Sequence, residues 1–383
     1  MRYAIVTETY PPEVNGVALT VQGLECGLRA RGHEVLLVRP RQENDILPAP
    51  VDPHTMLVRG AGLPRYPGLK FGFPATKSLF DRWSSVRPDA IYVATEGPLG
   101  WSALRAARKL GIPAATGFHT RFDQYLRDYG IAFLEGTALR WMRRFHNSGN
   151  ATLVPTQELA DFLHDSGFTR VAHLARAVDS VNFNPERRDR ELRRAWGLGD
   201  EDLAVIYLGR IAPEKNLDLA VRAFRALQRE RLDARFIWVG DGPSRPQLAQ
   251  AHADFVFCGV QRGPEVARHF ASADLFLFPS HSETFGNTTL EAMASGVAAV
   301  AFDYGAAREH VRNGASGAAV DNDADFITAA VRLATDDALR GALAAQARQA
   351  MQRLHPEQVA ADFDALLAGL ATEEKAHASI AVA

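Results

Sequence analysis

Short apolar segments alternate with longer amphipathic segments along most of the chain. The apolar segments are rich in β-branched residues and are predicted as strands, in the first half at residues 3–7, 35–38, 56–58, 90–94, 114–118, 151–155 and 171–174. Between several of them the apolar positions follow helical spacing, as at residues 17–30 and 99–110. Strands that alternate with helices predict βαβ units, in which helices cover both faces of a parallel sheet.

The same pattern restarts after a charge-rich segment at residues 184–196. Helices are predicted at residues 217–229 and 357–370, and further strands at residues 204–208, 236–239, 255–258, 275–278 and 298–301. The predicted fold class is α/β, with two doubly wound, Rossmann-like domains at residues 1–183 and 184–355. Residues 356–383 are predicted to form a C-terminal helix that packs back toward the first domain and ends in a loose tail. Such sheets bind ligands beyond the C-terminal ends of their strands, so two facing sheets would form an interdomain cleft.

Composition and charge narrow the function classes. The 383 residues carry 43 Lys and Arg against 45 Asp and Glu, a net charge of −2, which gives no reason to expect a nucleic-acid partner. Two cysteines, Cys26 and Cys258, are too few for a disulfide framework and fit a reducing compartment. No apolar run approaches the roughly 18–20 residues that span a bilayer, and Glu8 comes too early for a signal-peptide core. We therefore expect a cytoplasmic protein.

The segment 283–296, ETFGNTTLEAMASG, is the most informative candidate site. It runs into a helix, and Gly286 would let a ligand approach free backbone N–H groups where the helix dipole favours phosphate. Glu283 and Glu291 would lie roughly 12 Å apart along a helix, too far to share a proton or a metal but suited to two parts of one extended ligand. From spacing alone, a capped surface helix with exposed glutamates is the favoured alternative.

Two further clusters follow predicted strands. Arg210 and Lys215 would place two cations where an α/β fold binds ligands, and such a pair can hold a diphosphate and stabilise a departing phosphate. Gly16 belongs to an Asn-Gly turn that leads into a helix N-terminus, another geometry that binds phosphate. This turn is not G-x-G-x-x-G, so a dinucleotide site is poorly supported. The alternatives are two solvated loop cations and a plain βα turn.

Three positions at other strand ends complete the candidates. Gly240 begins the tight turn GDGP, Cys258 would offer backbone groups to a nucleobase, and His119 lies at the edge of the first predicted sheet, where a lone His is more often structural. The chain has no zinc-type His/Cys spacing, no G-x-S-x-G and no P-loop, and its one D-x-D, at residues 321–323, is interpreted as a polar turn. No metal site is predicted.

Taken in chain order, these segments resemble the retaining GT-B glycosyltransferases of the glycogen-synthase and phosphatidylinositol-mannosyltransferase type. Each match is weak alone, whereas five in the same order are specific. The matches are the N-terminal glycine loop at 11–17, the G-R…E-K-N signature at 209–216, the G-x-G-P turn at 240–243, the F-x-G turn at 257–259 and the E-x7-E motif at Glu283 and Glu291.

The resemblance implies a GT-B fold and a role for each matching residue. Arg210 and Lys215 would bind the diphosphate of a nucleotide-sugar donor, Glu291 would hydrogen-bond its ribose hydroxyls, and Glu283 would lie near the donor sugar. The remaining donor contacts implied are Gly16, His119, Gly240, Cys258, Phe285, Gly286 and Asn287.

The resemblance also implies a reaction. Members of this family retain the anomeric configuration, by a front-face displacement in which the leaving phosphate helps to deprotonate the acceptor. Arg210 and Lys215 would stabilise the leaving group in place of a metal, with Glu283 and His119 as the other catalytic residues. No cofactor besides the nucleotide-sugar co-substrate is implied. A GT-B epimerase or phosphorylase and a non-catalytic nucleotide-sugar-binding protein are the alternatives.

One loop departs from the family pattern. Where the family often has P-N-G-V-D, the chain reads Ala175, Arg176, Ala177, Val178 and Asp179. Arg176 in place of Asn is either an extra contact to a phosphate or acceptor, or a tolerated loop change.

The E-T-F-G-N version of the motif, with the segment 64–68, looks like that of bacterial mannosyltransferases and sulfolipid-synthase-like enzymes that glycosylate lipids. GDP-mannose is the donor that this implies, with a UDP-hexose as the alternative, and the acceptor is a lipid or a glycan. The basic and aromatic segment 140–145 would rest on an anionic membrane, at the inner membrane face. A helix with Trp141 and Phe145 in the core and solvated arginines is an equal alternative.

Overall fold

The computed structural model describes residues 1–13, 15–42, 45, 52–62, 70–119, 135–281 and 285–382, without the side chains of Glu135 and residues 375–382. The chain divides into two compact units, each with its own parallel sheet. Unit 1 comprises Met1–Ala177 and Pro356–Ala383, and unit 2 comprises Val178–His355.

Unit 1 contains a seven-stranded sheet of order β3-β2-β1-β6-β7-β8-β9 and a small hairpin of β4 and β5. The strands are β1 Arg2–Val6, β2 Glu34–Pro40, β3 Thr55–Val58, β4 Gly60–Gly62, β5 Lys70–Gly72, β6 Ala90–Val93, β7 Ala114–Gly117, β8 Ala151–Val154 and β9 Val171–His173. The helices before residue 178 are α1 Gly16–Ala30, α2 Thr76–Ser85, α3 Pro98–Leu110, α4 Glu135–His146 and α5 Gln157–Asp165.

The first strand shows why this sheet is covered on both faces. Tyr3 and Ile5 of β1 pack in one buried cluster with residues of α1, whereas Ala4 and Val6 pack in another with residues of α2 and α3. Successive strand residues point to opposite faces, so a strand that is apolar at every position has to be covered twice.

Unit 2 contains a six-stranded parallel sheet of order β12-β11-β10-β13-β14-β15. The strands are β10 Ala204–Leu208, β11 Arg235–Val239, β12 Val256–Gly259, β13 Leu275–Phe278, β14 Ala298–Phe302 and β15 Ala318–Val320. The helices are α6 Arg190–Ala195, α7 Leu217–Gln228, α8 Arg245–Ala251, α9 Pro264–Ala271, α10 Asn287–Ala294, α11 Ala306–His310, α12 Asp323–Thr335 and α13 Asp337–Met351. The strand order reverses between β10 and β13, and doubly wound sheets bind ligands at such a reversal.

The C-terminal helix α14, Pro356–Val382, belongs to unit 1. Its residues Val359, Phe363 and Leu367 are buried, one turn apart, in the same cluster as α1. A Cβ placed on Gly27 of α1 would lie 2.4 Å from the Cβ of Ala360, so the glycine allows the two helices to approach closely.

Most predicted elements are present within one or two residues, but two boundaries differ. The units divide after Ala177, not near residue 184, because the Val178 N–H donates to the carbonyl of Leu354 (3.0 Å) and Val178 is buried in unit 2. The predicted loose tail after Thr372 is instead helical to Val382, since the segment is rich in Ala and Glu and has no Gly or Pro. Strand β15 and the β4–β5 hairpin are not predicted from the pattern. Among the helices of the described residues, none combines the length and the hydrophobicity of a membrane-spanning segment.

Candidate active site

The loops after β10, β11 and β12 meet at one edge of the unit 2 sheet, because parallel strands end on the same side. The Gly209 N–H donates to the Val239 carbonyl (3.0 Å), and the Gly240 N–H donates to the Gly259 carbonyl (2.8 Å). Each loop is therefore bonded to the next at the strand ends, where this fold class binds its ligands.

The turn that Gly240 begins supports the loop that carries Arg210. Gly240 has φ +135°, and a Cβ there would lie 1.9 Å from the Gly209 carbonyl oxygen. Beyond it, the Ile211 N–H donates to the carbonyl of Asp241 (2.9 Å). A residue with a side chain at position 240 would therefore push the two loops apart.

Arg210 and Lys215 lie on the loop between β10 and α7. The buried Tyr207 hydroxyl donates to the Arg210 carbonyl (2.9 Å) and fixes the backbone there. The Arg210 side chain is 52% exposed, and its Nη1 lies 3.4 Å from Oε1 of Glu214. An exposed ion pair of this kind is weak, so a ligand phosphate can compete for Arg210. Lys215 ends the 3-10 turn Pro213–Lys215 and is half-buried.

No described residue caps the start of helix α10 with its side chain. Its N-cap is Gly286, with φ +93°, and Asn287 is the first helical residue. Phe285 is buried, and its carbonyl accepts a hydrogen bond from the Ala306 N–H (2.7 Å), which fixes the approach to the helix. The first N–H groups of a helix have no partner within it and attract anions. Glu283 lies outside the described residues.

Glu291 lies one turn along α10 from Asn287 and is half-buried. Burial raises the pKa of its carboxyl group to about 7. In the described part of the chain its carboxylate has no hydrogen-bond donor. A partly buried carboxyl group that lacks a hydrogen-bond donor among the described residues is unfavourable there and marks a candidate ligand contact.

Cys258 is the extra residue of a β-bulge on the edge strand β12. Trp238 pairs with Phe257 and Val239 pairs with Gly259, so Cys258 has no partner in the ladder. Its carbonyl accepts a hydrogen bond from Nε2 of Gln261 (2.7 Å), and burial raises the pKa of its thiol. A bulge re-aims the backbone locally, which fits a backbone contact and not a reactive thiolate.

In unit 1, Gly16 is the first residue of α1 and is exposed. The preceding Asn15 caps the helix, since its Oδ1 accepts a hydrogen bond from the Ala18 N–H (2.8 Å). Nδ2 of Asn15 donates to Oγ1 of Thr9 (2.7 Å) and holds the cap in place.

His119 follows β7 and is held from two sides. Its Nδ1 accepts a hydrogen bond from the Arg176 guanidinium, and its Nε2 lies 2.7 Å from the Tyr92 hydroxyl. Arginine only donates, so the ring proton of neutral His119 is on Nε2 and is directed to Tyr92. Burial and then the Arg176 charge keep the pKa of His119 well below its usual range. Both ring nitrogens have protein partners, which leaves little room for proton transfer by the ring.

Arg176 is the site residue that the sequence indicated only as a departure from a motif. Its side chain is 8% exposed, and burial lowers its pKa to about 10. The only signal in the sequence is a charged residue in place of the family's Asn.

A second buried polar group in unit 1 is not predicted from the sequence. Nε2 of His146 lies 3.3 Å from Oε1 of Glu96, and its Nδ1 lies 2.8 Å from Oγ1 of Thr116. Glu8 accepts a hydrogen bond from the Leu99 N–H at the start of α3 (2.9 Å), and burial raises the pKa of Glu8 to about 7. These acids follow β1 and β6, but only the tertiary structure shows that they are buried.

Two remaining predictions concern metals and the basic helix. The described residues contain no cluster of three or more His, Cys, Asp and Glu suited to a metal ion, and Asn322 caps α12 by accepting from the Asp325 N–H (3.0 Å). On α4, Phe145 is fully buried whereas Trp141 is 43% exposed, so the alternative that places both in the core is wrong for Trp141.

Two family models match the chain. The one described as glycosyl transferases group 1 matches residues 202–336, and the one described as glycosyltransferase family 4 matches residues 14–182. The GDP-mannose-dependent alpha-mannosyltransferase of Mycolicibacterium smegmatis is 35% identical over 334 residues, covering 84% of this chain and 85% of the relative. The sulfoquinovosyl transferase of Arabidopsis thaliana is 30% identical, covering 78% of this chain and 59% of the relative.

Solved structures agree with the fold. The sucrose-phosphate synthase from Thermosynechococcus elongatus has a TM-score of 0.79 at 18% identity, over 96% of this chain and 98% of the neighbour. Two parallel α/β units, two family models that lie on them in order and a relative aligned over most of both chains lead to one conclusion. The chain belongs to the group 1 glycosyltransferases of the GT-B fold.

Proposed function

We propose that this glycosyltransferase moves mannose from GDP-mannose to a lipid or glycan acceptor, with retention of the anomeric configuration and without a metal. The observation that carries the reaction type is the arrangement at one edge of the unit 2 sheet, where Arg210, Lys215 and the start of α10 follow β10 and β13. The donor is supported by the relatives in Mycolicibacterium smegmatis and Corynebacterium glutamicum, which are named GDP-mannose-dependent alpha-mannosyltransferases.

In this proposal the donor diphosphate binds to the two side-chain cations and to the first N–H groups of α10. Arg210 offers a planar fork to the phosphate oxygens, and Lys215 offers a compact charge. As the bond between the sugar C1 and the phosphate oxygen breaks, negative charge grows on the phosphate, and these groups stabilise it. The same phosphate oxygen takes the proton of the acceptor hydroxyl. The acceptor oxygen then bonds to C1 on the face that the phosphate leaves.

Glu291 is proposed to accept hydrogen bonds from the ribose hydroxyls of the donor. Its carboxylate has no hydrogen-bond donor within the described residues. Two ribose hydroxyl groups would replace the hydrogen bonds to water that burial removes. The proposed contacts of Phe285, Gly286 and Asn287 are made by the backbone, and that of Cys258 by the bulge in β12. The roles of Gly16, His119, Gly240 and Glu283 toward the donor remain predictions.

A UDP-hexose is the second candidate donor. A glycosyltransferase-fold neighbour from Anabaena, with a TM-score of 0.76 at 16% identity, was solved with UDP. Relatives named alpha-monoglucosyldiacylglycerol synthase occur in Acholeplasma laidlawii and Streptococcus pneumoniae. Their names also motivate a lipid acceptor and peripheral contact with the inner face of a membrane, for which exposed Trp141 and the arginines beside it on α4 are the proposed surface.

A donor screen tests the proposal. Calorimetry with GDP, UDP and ADP is expected to give at least tenfold tighter binding of GDP, followed by hydrolysis or transfer of mannose from GDP-mannose. The anomeric configuration of the product is then measured by NMR, and an inverted product would contradict retention. Tighter binding of UDP would favour the UDP-hexose, and donor binding without hydrolysis or transfer under any condition would favour a non-catalytic protein.

A further inference from the structure

Arg176 carries a buried positive charge that no acid in the described part of the chain neutralises. The residue lies in the loop after β9, and 8% of it is exposed. Its side chain makes one hydrogen bond, to Nδ1 of His119, and it forms no ion pair within the described residues. The other buried arginine among the described residues, Arg193, is paired with Asp274 at 3.0 Å.

Three described acids, two that follow strands of the unit 1 sheet and one near Arg176 in the sequence, contact other groups. Glu96 contacts His146, and Glu8 caps the start of α3. Asp179, three positions along the chain, accepts hydrogen bonds from the backbone N–H groups of Val181 (3.2 Å) and Asn182 (3.0 Å). None of these carboxylates is placed to neutralise the guanidinium.

His119 does not neutralise Arg176 either. It contacts the guanidinium through a neutral ring nitrogen, and its proton faces Tyr92. Gly117 leaves room for the contact between His119 and Tyr92, since a Cβ on Gly117 would lie 2.1 Å from the Tyr92 hydroxyl oxygen and 2.5 Å from Nε2 of His119. His119, held by Tyr92, thus orients the Arg176 guanidinium without reducing its charge.

A buried cation without a counter-charge destabilises a protein unless a ligand neutralises it. An arginine fork fits the two oxygens of a carboxylate, a sulfonate or a phosphate. We propose that Arg176, aimed by His119, forms an anion subsite in unit 1 that binds an acidic group of a substrate other than the donor diphosphate. The inference rests on the proposed function, in which Arg210 and Lys215 of unit 2 hold the diphosphate.

The acidic group belongs either to the donor sugar or to the acceptor molecule. Two matched pairs of probes distinguish these options. For the donor, the affinities of UDP-glucuronate and UDP-glucose are compared by calorimetry. For the acceptor, glycerol 3-phosphate and glycerol are compared on the full chain saturated with GDP, or with the nucleotide that wins the donor screen, so that the diphosphate site is filled.

The wild-type protein is expected to prefer the acidic member of one pair by at least tenfold, and Arg176→Gln to lose that preference. Arg176→Lys keeps the charge without the fork and should retain part of it. Preference in the first pair places the acid on the donor, and preference in the second places it on the acceptor. The melting temperature of Arg176→Gln should not fall, because the change removes an unpaired charge, whereas a purely structural role would lower it.

Three results would overturn the subsite. These are no acidic preference in either pair, a preference that survives in both variants, and a tenfold loss of nucleotide affinity in Arg176→Gln, which would assign Arg176 to the diphosphate. If Arg176→Gln does not fold, Arg176→Lys carries the same comparison. Nucleotide binding and mannose transfer by the wild-type protein are measured separately, so the proposed function can stand while the subsite fails.

Discussion

The two arginines that we propose to bind ligands differ in exposure and in how the fold holds them. Arg210 is 52% exposed on a loop that the Gly240 turn supports, and within the described residues its one ion pair is with the neighbouring Glu214. Arg176 is 8% exposed and contacts His119, which is 57 positions away in the chain. The first site is built from local turns that present a solvated cation, whereas the second is built from long-range contacts that desolvate one.

This difference predicts how each site responds to change. A solvated cation contributes little to folding, so its removal should affect the ligand alone. A desolvated cation affects folding and ligand binding together. The Gly240 turn beneath Arg210 is the exception in unit 2, because it supports the fold locally, whereas the side chains of Arg210 and Lys215 do not.

The largest effect is expected at Gly240. In Gly240→Ala the new Cβ would meet the Gly209 carbonyl oxygen at 1.9 Å, and the φ of +135° would be strained. We expect the free energy of unfolding to fall by roughly 3 kcal/mol, with loss of donor binding, as measured by urea denaturation and calorimetry.

Gly259→Ala is the matched control. Gly259 also has positive φ, +67°, but an added Cβ there would have no heavy atom within 4 Å. Only backbone strain of about 1 kcal/mol is expected. Equal destabilisation by the two substitutions would show that the contact between the turns does not matter.

Lys215→Ala should separate function from stability. We expect kcat/KM to fall about 100-fold through loss of charge stabilisation on the leaving phosphate. The free energy of unfolding should change by less than about 1 kcal/mol, because Lys215 is only half-buried. Arg229→Ala, an exposed cation just after α7 at the far end of the helix, should keep full activity. Wild-type turnover in a folded Lys215→Ala protein would remove Lys215 from the diphosphate site.

The two sites also differ in how much of each could be predicted from the sequence. The location of Arg210, Lys215 and Gly240 could be predicted because each follows a strand, and all strands of a parallel sheet end at one edge. The contact of Tyr92, His119 and Arg176 could not, because it joins three separate strand ends and depends on which strands are neighbours. The pattern therefore predicts the existence of a strand better than the pairing of residues across strands.

Smaller differences between the predictions and the structure also arise from contacts between residues that are distant in sequence. The bulge at Cys258 is a shift of one residue between β11 and β12. The sequence of one strand does not determine how its residues pair with those of the next strand. The boundary after Ala177 depends on a hydrogen bond from Val178 to Leu354, which is distant in sequence. The helical spacing of α4 identifies Phe145 as a core residue but does not decide the exposure of Trp141.

Glu291→Gln should have an intermediate effect, about a tenfold loss of donor affinity. The carboxyl pKa of about 7 in the free protein adds a pH dependence. Ribose hydroxyls donate to the carboxylate, so the affinity for GDP should rise with pH up to about 7 and then level off. Because the pKa is raised above that of the unfolded chain, folding favours the protonated group, and stability should decline as pH rises from about 4.5 to 7.

Glu291→Gln is also the control for that pH dependence. The phosphate of GDP titrates in the same range, and the variant retains this contribution but lacks the carboxyl group. The difference between the two proteins, measured as the GDP dissociation constant from pH 5.5 to 8.5, isolates Glu291. Parallel pH profiles, or an unchanged dissociation constant, would remove it from the ribose site.

The smallest effect is expected from Tyr92→Phe, which tests the buried side of the comparison. The change leaves the Nε2 proton of His119 without its acceptor while keeping the aromatic packing of Tyr92 against Phe363 (ring centroids 5.0 Å apart). The loss of one buried hydrogen bond predicts a fall of about 1 kcal/mol in the free energy of unfolding and a few-fold change in kcat. Since Arg176 keeps its own contact with Nδ1, its preference for an acidic probe should fall by less than in Arg176→Gln. A loss of that preference as complete as in Arg176→Gln would mean that Tyr92, through His119, is what aims the guanidinium.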